Sequence, residues 1–502
     1  MLIENKKIKQ IISSYERIWS LNYLGALVGW DTETYMPEEG VESRGRVMSH
    51  LSSIVQDVLL DRKFVKLLKE AKDEQNLNVY EKKILHVLNT QLDHYQKLPK
   101  KFIEEYSNLI ASASTVWAKA KAENNITEFL PILAKIFNMT RKKADYLGYK
   151  NDPYEAIFKQ YDDDFSLTDL DKYFDDIKLF LSKINLKKVK NKFKVDIKNS
   201  SYDKDKMIVL NNRILEYLSV SPKNFRMDVS AHPFSLFLGL NDIRLTTNYS
   251  SKDFSAALLP TIHEFGHGLF ASQADRELEY TPLWPECSYA LHESQSRFWE
   301  NMISRNKAFI SKFYEDFVGL NKEFKKLTVN DFYNQFNEIK PSFIRTQADE
   351  ITYHYHIIIR YEIEKDLLNK RIKVSEVSEL WNQKYKDYLG IKPKNLSEGV
   401  LQDIHWSFGS IGYFPTYSLG STMSAIWYEL IEKDLHLSSK RIFTFEDIIE
   451  IKSWLKTNIH KYAGTYDLKE IVKKVSGKEF STKPWEEYIK TKYNIYFDNQ
   501  PE

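Results

Sequence analysis

His263-Glu-Phe-Gly-His267 is the stretch on which the reading of this chain turns. On a helix, residues four apart lie one turn apart on the same face, so both imidazoles can reach a single zinc ion. Glu264 is rotated about 100° from His263, which sets its carboxylate beside the metal position and not on it. From there it can take a proton from a water. The surrounding residues are poorly chosen for helix stability alone. Gly266 and Gly268 each cost about 1 kcal/mol in a helix interior, and Pro260 costs more. Close packing or substrate approach explains glycines at these places better than a bland core helix does. The expectation is a zinc helix with Glu264 as general base.

A catalytic zinc takes three protein ligands and keeps one position open. The metzincin arrangement would need Gly and His where Phe270 and Gln273 stand, so that class is excluded. Two downstream carboxylates remain, Glu286 and Glu293. Glu286 sits in Thr281-Pro-Leu-Trp-Pro-Glu286, a proline-bounded loop that fixes a ligand poorly. No Gly-x-Met-x-Asn segment lies upstream to hold a substrate amine, as an aminopeptidase would need. Glu293 lies in Leu291-His-Glu-Ser-Gln-Ser-Arg-Phe-Trp299, a helical pattern able to lock its rotamer, and is the preferred third ligand. His292 precedes it and points elsewhere, as a support behind a ligand. His232 reads as a packed or supporting residue. Cys287 is the single cysteine, so an intramolecular disulfide and a Cys-rich zinc module are both excluded. It reads as a small buried residue.

Further out, the chain of 502 residues carries 72 basic and 70 acidic side chains, a net charge of +2. That balance supplies no bulk field for a nucleic acid or an anionic membrane. With 42% hydrophobic and 28% charged residues, general disorder is excluded. The longest apolar run, Tyr23 to Trp30, is far too short to span a bilayer. Met1-Leu-Ile-Glu-Asn-Lys-Lys7 is polar and runs into an amphipathic pattern without a signal-peptide core, so a cytoplasmic location is expected.

Only 16 Gly and 14 Pro punctuate the chain, which argues for many long helices. Helical spacing appears in residues 8–21, 47–60, 79–92, 102–122, 130–147, 170–184, 207–218, 289–309, 342–368, 423–431 and 445–459. Asn78 with Glu81, Ser166 with Asp169 and Thr444 with Asp447 carry capping signatures. Strand signals are confined to Ile243–Thr247 and Phe193–Ile197. The expected class is mainly α with a small β-sheet. Lys187–Lys206, rich in lysine without an aromatic stacking ladder, reads as a solvated loop. No Gly/Ser linker divides the chain, so residues 1–502 are expected to form one continuous unit.

His263-Glu-Phe-Gly-His267 followed by His292-Glu-Ser-Gln295 resembles the thermostable carboxypeptidase family of the carboxypeptidase Taq type. The likeness extends to Trp30-Asp-Thr-Glu-Thr-Tyr-Met-Pro37, His232-Pro-Phe234, Asp242-Ile-Arg-Leu-Thr246, Ile344-Arg-Thr-Gln-Ala-Asp349, Gly399-Val-Leu-Gln-Asp-Ile-His-Trp406 and Ile451-Lys-Ser-Trp-Leu455, nearly the whole chain. The resemblance implies a zinc- or cobalt-dependent metallocarboxypeptidase that removes single C-terminal residues from peptides with broad specificity. It implies a saddle-shaped helical homodimer, each subunit having two lobes that flank a deep groove.

By the same resemblance Arg345 binds the substrate's terminal carboxylate, for which a guanidinium is well suited. Arg345, Asp349 and Tyr353 recur at four-residue spacing, so Asp349 is expected to orient Arg345 on a helix. His405 with Tyr413 or Tyr417 would stabilise the oxyanion; the sequence does not say which tyrosine. Arg244 and Gln402 fall in motifs that the resemblance associates with closing the groove end. The alternative for Arg244 is a brace, with Asp242, for the small sheet.

Overall fold

The computed structural model describes residues 1–186, 193–249, 252–285 and 287–494. It is 66% helical with one three-stranded sheet, so the mainly α expectation holds. No helix among the described residues is long and apolar enough to cross a membrane. The chain divides into two units, each assembled from three separated segments.

The first unit comprises Met1–Tyr95, Lys192–Phe336 and Ile426–Lys478. Helix α1 (Lys6–Thr34) opens it, with the Asn5 side chain accepting from the Lys7 and Ile8 amides. Helix α2 (Val41–Leu59) follows. Strand β1 (Phe225–Val229) pairs parallel with β3 (Asp242–Thr247), and β2 (Ser235–Gly239) pairs antiparallel on its other edge. Central β3 is the most buried strand, and helix α3 (Ser255–Ser272) packs against it. The apolar residues of α3 surround its axis, so it is a core helix buried on most sides.

Its two glycines have separate reasons. A Cβ at Gly268 would lie 2.8 Å from Ile243 Cγ2, so the helix can approach β3 only without one. A Cβ at Gly266 would lie 2.6 Å from the Gln295 carbonyl and 2.7 Å from Ser296 Cα. Those atoms belong to helix α4 (Tyr289–Arg297), which continues as a π-helical turn over Phe298–Ser304. Thus α3 touches α4 backbone to backbone.

The second unit comprises Gln96–Asn191, Asn337–Ala425 and Glu479–Glu502. Its centre is helix α5 (Tyr353–Leu368), whose buried residues include His354, His356, Arg360 and Glu364 beside four isoleucines. Buried polar side chains usually find a hydrogen-bond partner, and each of these makes at least one such bond. His354 Nδ1 meets Ser418 Oγ at 2.6 Å, and His356 Nδ1 meets Tyr385 Oη at 2.9 Å. Helix α6 (Phe414–Leu435) contributes Tyr417 and Ser418.

Three expectations fail. Residues 342–352 are not helical: a short 3₁₀ turn holds Arg345–Gln347, and α5 starts only at Tyr353. The Asp349 carboxylate accepts the Ile351 and Thr352 amides and thereby ends the irregular segment. Phe193–Ile197 is not a strand; with no neighbouring strand, the Ile197 amide donates instead to Gln335 Oε1. His232 is exposed and is not packed. All three capping pairs form, at Asn78/Glu81, Ser166/Asp169 and Thr444/Asp447. Residues 187–192 of the lysine-rich stretch, and Glu286, lie outside the described residues.

Candidate active site

In the first unit, α3 supplies His263 and His267, and α4 supplies Glu293. One donor atom from each lies within 4.8 Å of the other two. Glu293 Oε2 is 3.6 Å from His263 Nε2 and 3.5 Å from His267 Nε2. Both Nδ1 atoms are occupied from behind. Glu300 Oε2 is 2.9 Å from that of His263, and His292 Nδ1 is 2.5 Å from that of His267. Fixing Nδ1 in this way turns Nε2 toward a cation. Arg297 then ties the carboxylates together, Nε to Glu293 Oε1 at 2.6 Å and Nη1 to Glu300 Oε2 at 3.2 Å.

The electrostatics fit a cation as well. Burial would raise the pKa of Glu293, but Arg297 and then His263 outweigh it and hold the carboxyl well below the usual range. Burial likewise opposes ionisation of Glu300, yet Arg297 brings its pKa down to about 2. His263 is pushed down by burial, but the carboxylates, Glu293 first, leave it above its ordinary value. A cavity that raises a buried histidine's affinity for a proton is one short of positive charge. Two imidazoles and one carboxylate are a donor set suited to zinc. Glu264, buried on α3 one residue from His263, is not among the three converging ligands. Its carboxylate makes no hydrogen bond among the described residues.

Elsewhere in the first unit, Arg244 grips Asp242 bidentately at 2.9 and 3.0 Å, and its guanidinium lies 5.7 Å from the Trp30 ring. With Trp30, Tyr35 and Arg226 it lines a cavity of about 440 Å³.

In the second unit, buried Arg345 donates from Nε to Asp403 Oδ1 at 2.9 Å and from Nη1 to Tyr353 Oη at 3.0 Å. Its guanidinium lies over the Tyr417 ring at 4.9 Å. Gln402 accepts the Arg345 amide and donates into the Phe343 and Glu398 carbonyls. His405 Nε2 lies 3.1 Å from Tyr417 Oη, and the Tyr413 ring stands edge-on to that of Tyr417 at 5.1 Å. Burial first, and Arg345 second, push the His405 pKa down to about 3, so it is neutral across the working range.

A family model for the carboxypeptidase Taq (M32) metallopeptidases matches residues 9–493. The chain belongs to the carboxypeptidase Taq family. Thermostable carboxypeptidase 1 of Pyrococcus furiosus is 37% identical over 98% of this chain and 99% of its own. Carboxypeptidase 1 of Bacillus subtilis is 33% identical, covering 97% and 98%. Among solved structures, the Pyrococcus furiosus carboxypeptidase superposes with a TM-score of 0.92 over 98% of this chain and 100% of that one, at 36% identity. The M32 carboxypeptidase of Deinococcus radiodurans gives 0.92 at 26% identity, covering 98% and 99%. The resemblance to this family is therefore established, and with it a metal-dependent peptidase.

Within that family frame, the chain places its singled-out residues in two sets. His263, Glu264, His267 and Glu293 come together in the first unit. Arg345, Gln402, His405, Tyr413 and Tyr417 come together in the second. Arg244 stands apart at its ion pair on β3. Asp349 does not orient Arg345; Asp403 does, because Asp349 is spent on the α5 start. Sequence reasoning also passed over Glu300 and Arg297. Their spacing from Glu293, seven and four residues respectively along one helical stripe, was the available signal.

Proposed function

We propose that this carboxypeptidase Taq family member is a zinc metallocarboxypeptidase, releasing single C-terminal amino acids from peptides with broad specificity. The convergence of His263, His267 and Glu293, with an uncommitted Glu264 beside them, carries the reading. These three residues would hold the ion, zinc by preference and cobalt as the alternative. When bound, it supplies Lewis acidity that polarises the scissile carbonyl and acidifies water.

Glu264 takes the proton of the attacking water and returns it to the leaving amine. Arg345 pairs with the terminal carboxylate, so only the last peptide bond is presented for attack. His405 is neutral, and its Nε2 meets Tyr417 Oη at 3.1 Å. Together they would stabilise the developing oxyanion. Tyr413 supports Tyr417 edge-on. Gln402 acts through the Arg345 backbone, and Arg244 bounds substrate at the sheet. The chain works as one catalytic unit over residues 1–502, as a cytoplasmic homodimer.

Mass spectrometry of a short peptide digested by metal-loaded protein tests this reading, with Glu264→Gln as control. A ladder losing one C-terminal residue at a time, absent from the variant, is the expected result. Paired losses or internal cuts would point to a dipeptidyl carboxypeptidase or oligopeptidase and overturn the role of Arg345.

A further inference from the structure

Asp403 is shared between two guanidiniums. Its Oδ1 takes Arg345 Nε at 2.9 Å. Its Oδ2 takes Arg360 Nε at 2.7 Å and lies 2.5 Å from Arg360 Nη2. Arg360 is wholly buried on α5, and its Nη1 donates to the His356 carbonyl at 2.7 Å. Its guanidinium also lies 4.5 Å from the Trp381 ring. Arg360 thus has no edge left for a ligand.

Arg345 is different. Nε goes to Asp403, Nη1 gives one hydrogen to Tyr353, and Nη2 has no hydrogen-bond partner among the described residues. The nearby histidines do not compensate charge. Burial and then Arg360 hold His356 neutral, and burial and then Arg345 hold His405 neutral. Asp403 is the carboxylate paired with both guanidiniums, Glu364 adds only a weak attraction on Arg360, and the donors left open are on Arg345.

We propose that Asp403 is the positioning residue of the terminal-carboxylate clamp. By dividing its two oxygens between Arg345 and Arg360, it fixes the Arg345 plane yet leaves that guanidinium's outer edge and charge for the substrate. If Arg360 were absent, both Asp403 oxygens would be open to Arg345, and a bidentate internal pair would compete with the substrate. This inference rests on Arg345 as the carboxylate clamp and goes beyond it by assigning how the clamp is kept open.

The test compares an N-acetylated tripeptide ending in Phe with its C-terminal amide, measuring kcat and KM for each. Asp403→Asn alone would leave two buried guanidiniums without their carboxylate, and loss of fold would imitate loss of function. Two variants avoid that. Asp403→Glu keeps the charge but shifts the carboxylate by a methylene. Asp403→Asn with Arg360→Met removes one charge of each sign.

Each is expected to raise KM for the free acid by about 10- to 100-fold, the worth of one charge-assisted hydrogen bond. The amide should change little, and kcat for the acid should stay near native, so the acid-over-amide preference collapses. A merely structural defect would lower both substrates alike. Native KM and native preference in these variants, with the preference lost in Arg345→Ala, would overturn the role of Asp403 and leave the clamp standing. Preference retained in Arg345→Ala would overturn the clamp itself, and this proposal with it.

Discussion

The two clusters are built on opposite charge imbalances. Around the metal ligands, Glu264, Glu293 and Glu300 face Arg297 and Arg305, so carboxylates outnumber guanidiniums. Around Arg345, two guanidiniums share the single carboxylate of Asp403, with Glu364 acting only weakly on Arg360. Burial makes each imbalance costly to leave unmet, and in each case the missing charge is of the kind the proposed reaction would bring: a cation for the first, a carboxylate for the second. Specificity for a ligand's sign can thus be written into a buried network by leaving it one partner short. The difference lies in how the shortage is held open. The metal cluster holds it with carboxylates pinned by Arg297, and the other holds it with one carboxylate shared two ways.

The largest expected effect falls on the metal cluster. Glu264→Gln should lower kcat by about 10²- to 10⁴-fold, the usual worth of a general base. Bound metal, measured by elemental analysis, should be unchanged. Loss of metal in that variant would make Glu264 part of the charge balance holding the ion, and its carboxylate would no longer be free for proton transfer.

Glu300→Gln should weaken metal affinity by about 10- to 100-fold, because the partner that fixes the His263 tautomer loses its charge. Chelator competition measures this, and undiminished affinity would show that Arg297 alone sets the ligands. Gly266→Ala comes next. Its methyl would enter the backbone of α4, at a cost of about 1–3 kcal/mol. Thermal melting of the metal-free chain should register the change, and metal should bind less tightly to the survivor. A native melting point would mean that the two helices can separate.

The smallest effect belongs to the second unit. The Glu364 carboxylate, buried on α5, accepts from Trp406 Nε1, the Gly412 amide and Tyr154 Oη, yet burial pushes its pKa up to about 7. The folded chain therefore keeps a proton that the unfolded chain gives up in the ordinary carboxylate range. Stability should fall as pH rises from there to about 7, by no more than about 1.4 kcal/mol per pH unit. Denaturant unfolding between pH 5 and 8 shows the slope, and Glu364→Gln should flatten it whatever its absolute stability.

The metal cluster was far more legible in the sequence than the Arg345 cluster, and the reason is distance along the chain. His263 and His267 share one helical face, so period and spacing alone bring them together. Glu293 followed because only a helix fixes a rotamer well. Arg345, by contrast, takes its orientation from Asp403, 58 residues away, and no local pattern reports that pairing. The regular spacing of Arg345, Asp349 and Tyr353 even pointed the wrong way, since Asp349 ends an irregular segment instead of sitting on a helix face. The fold divides similarly. Long helices and three caps were readable from periodicity. Strands β1 and β2 were not, because each is five residues long and defined by its pairing with β3.

The bare contact between Gly266 and the carbonyl of Gln295 makes the metal cavity a gauge of fixed bore. The helix bearing the histidines and the helix bearing Glu293 are spaced by main-chain atoms, which neither rotate nor compress as side chains do. An ion of larger radius cannot spread them. It would have to be met by small shifts of the ligand side chains, the Glu293 carboxylate moving against the pull of Arg297. Exchanging metals in this protein should therefore leave the helix spacing unmoved and register in the ligand side chains and in the Arg297 contact to Glu293.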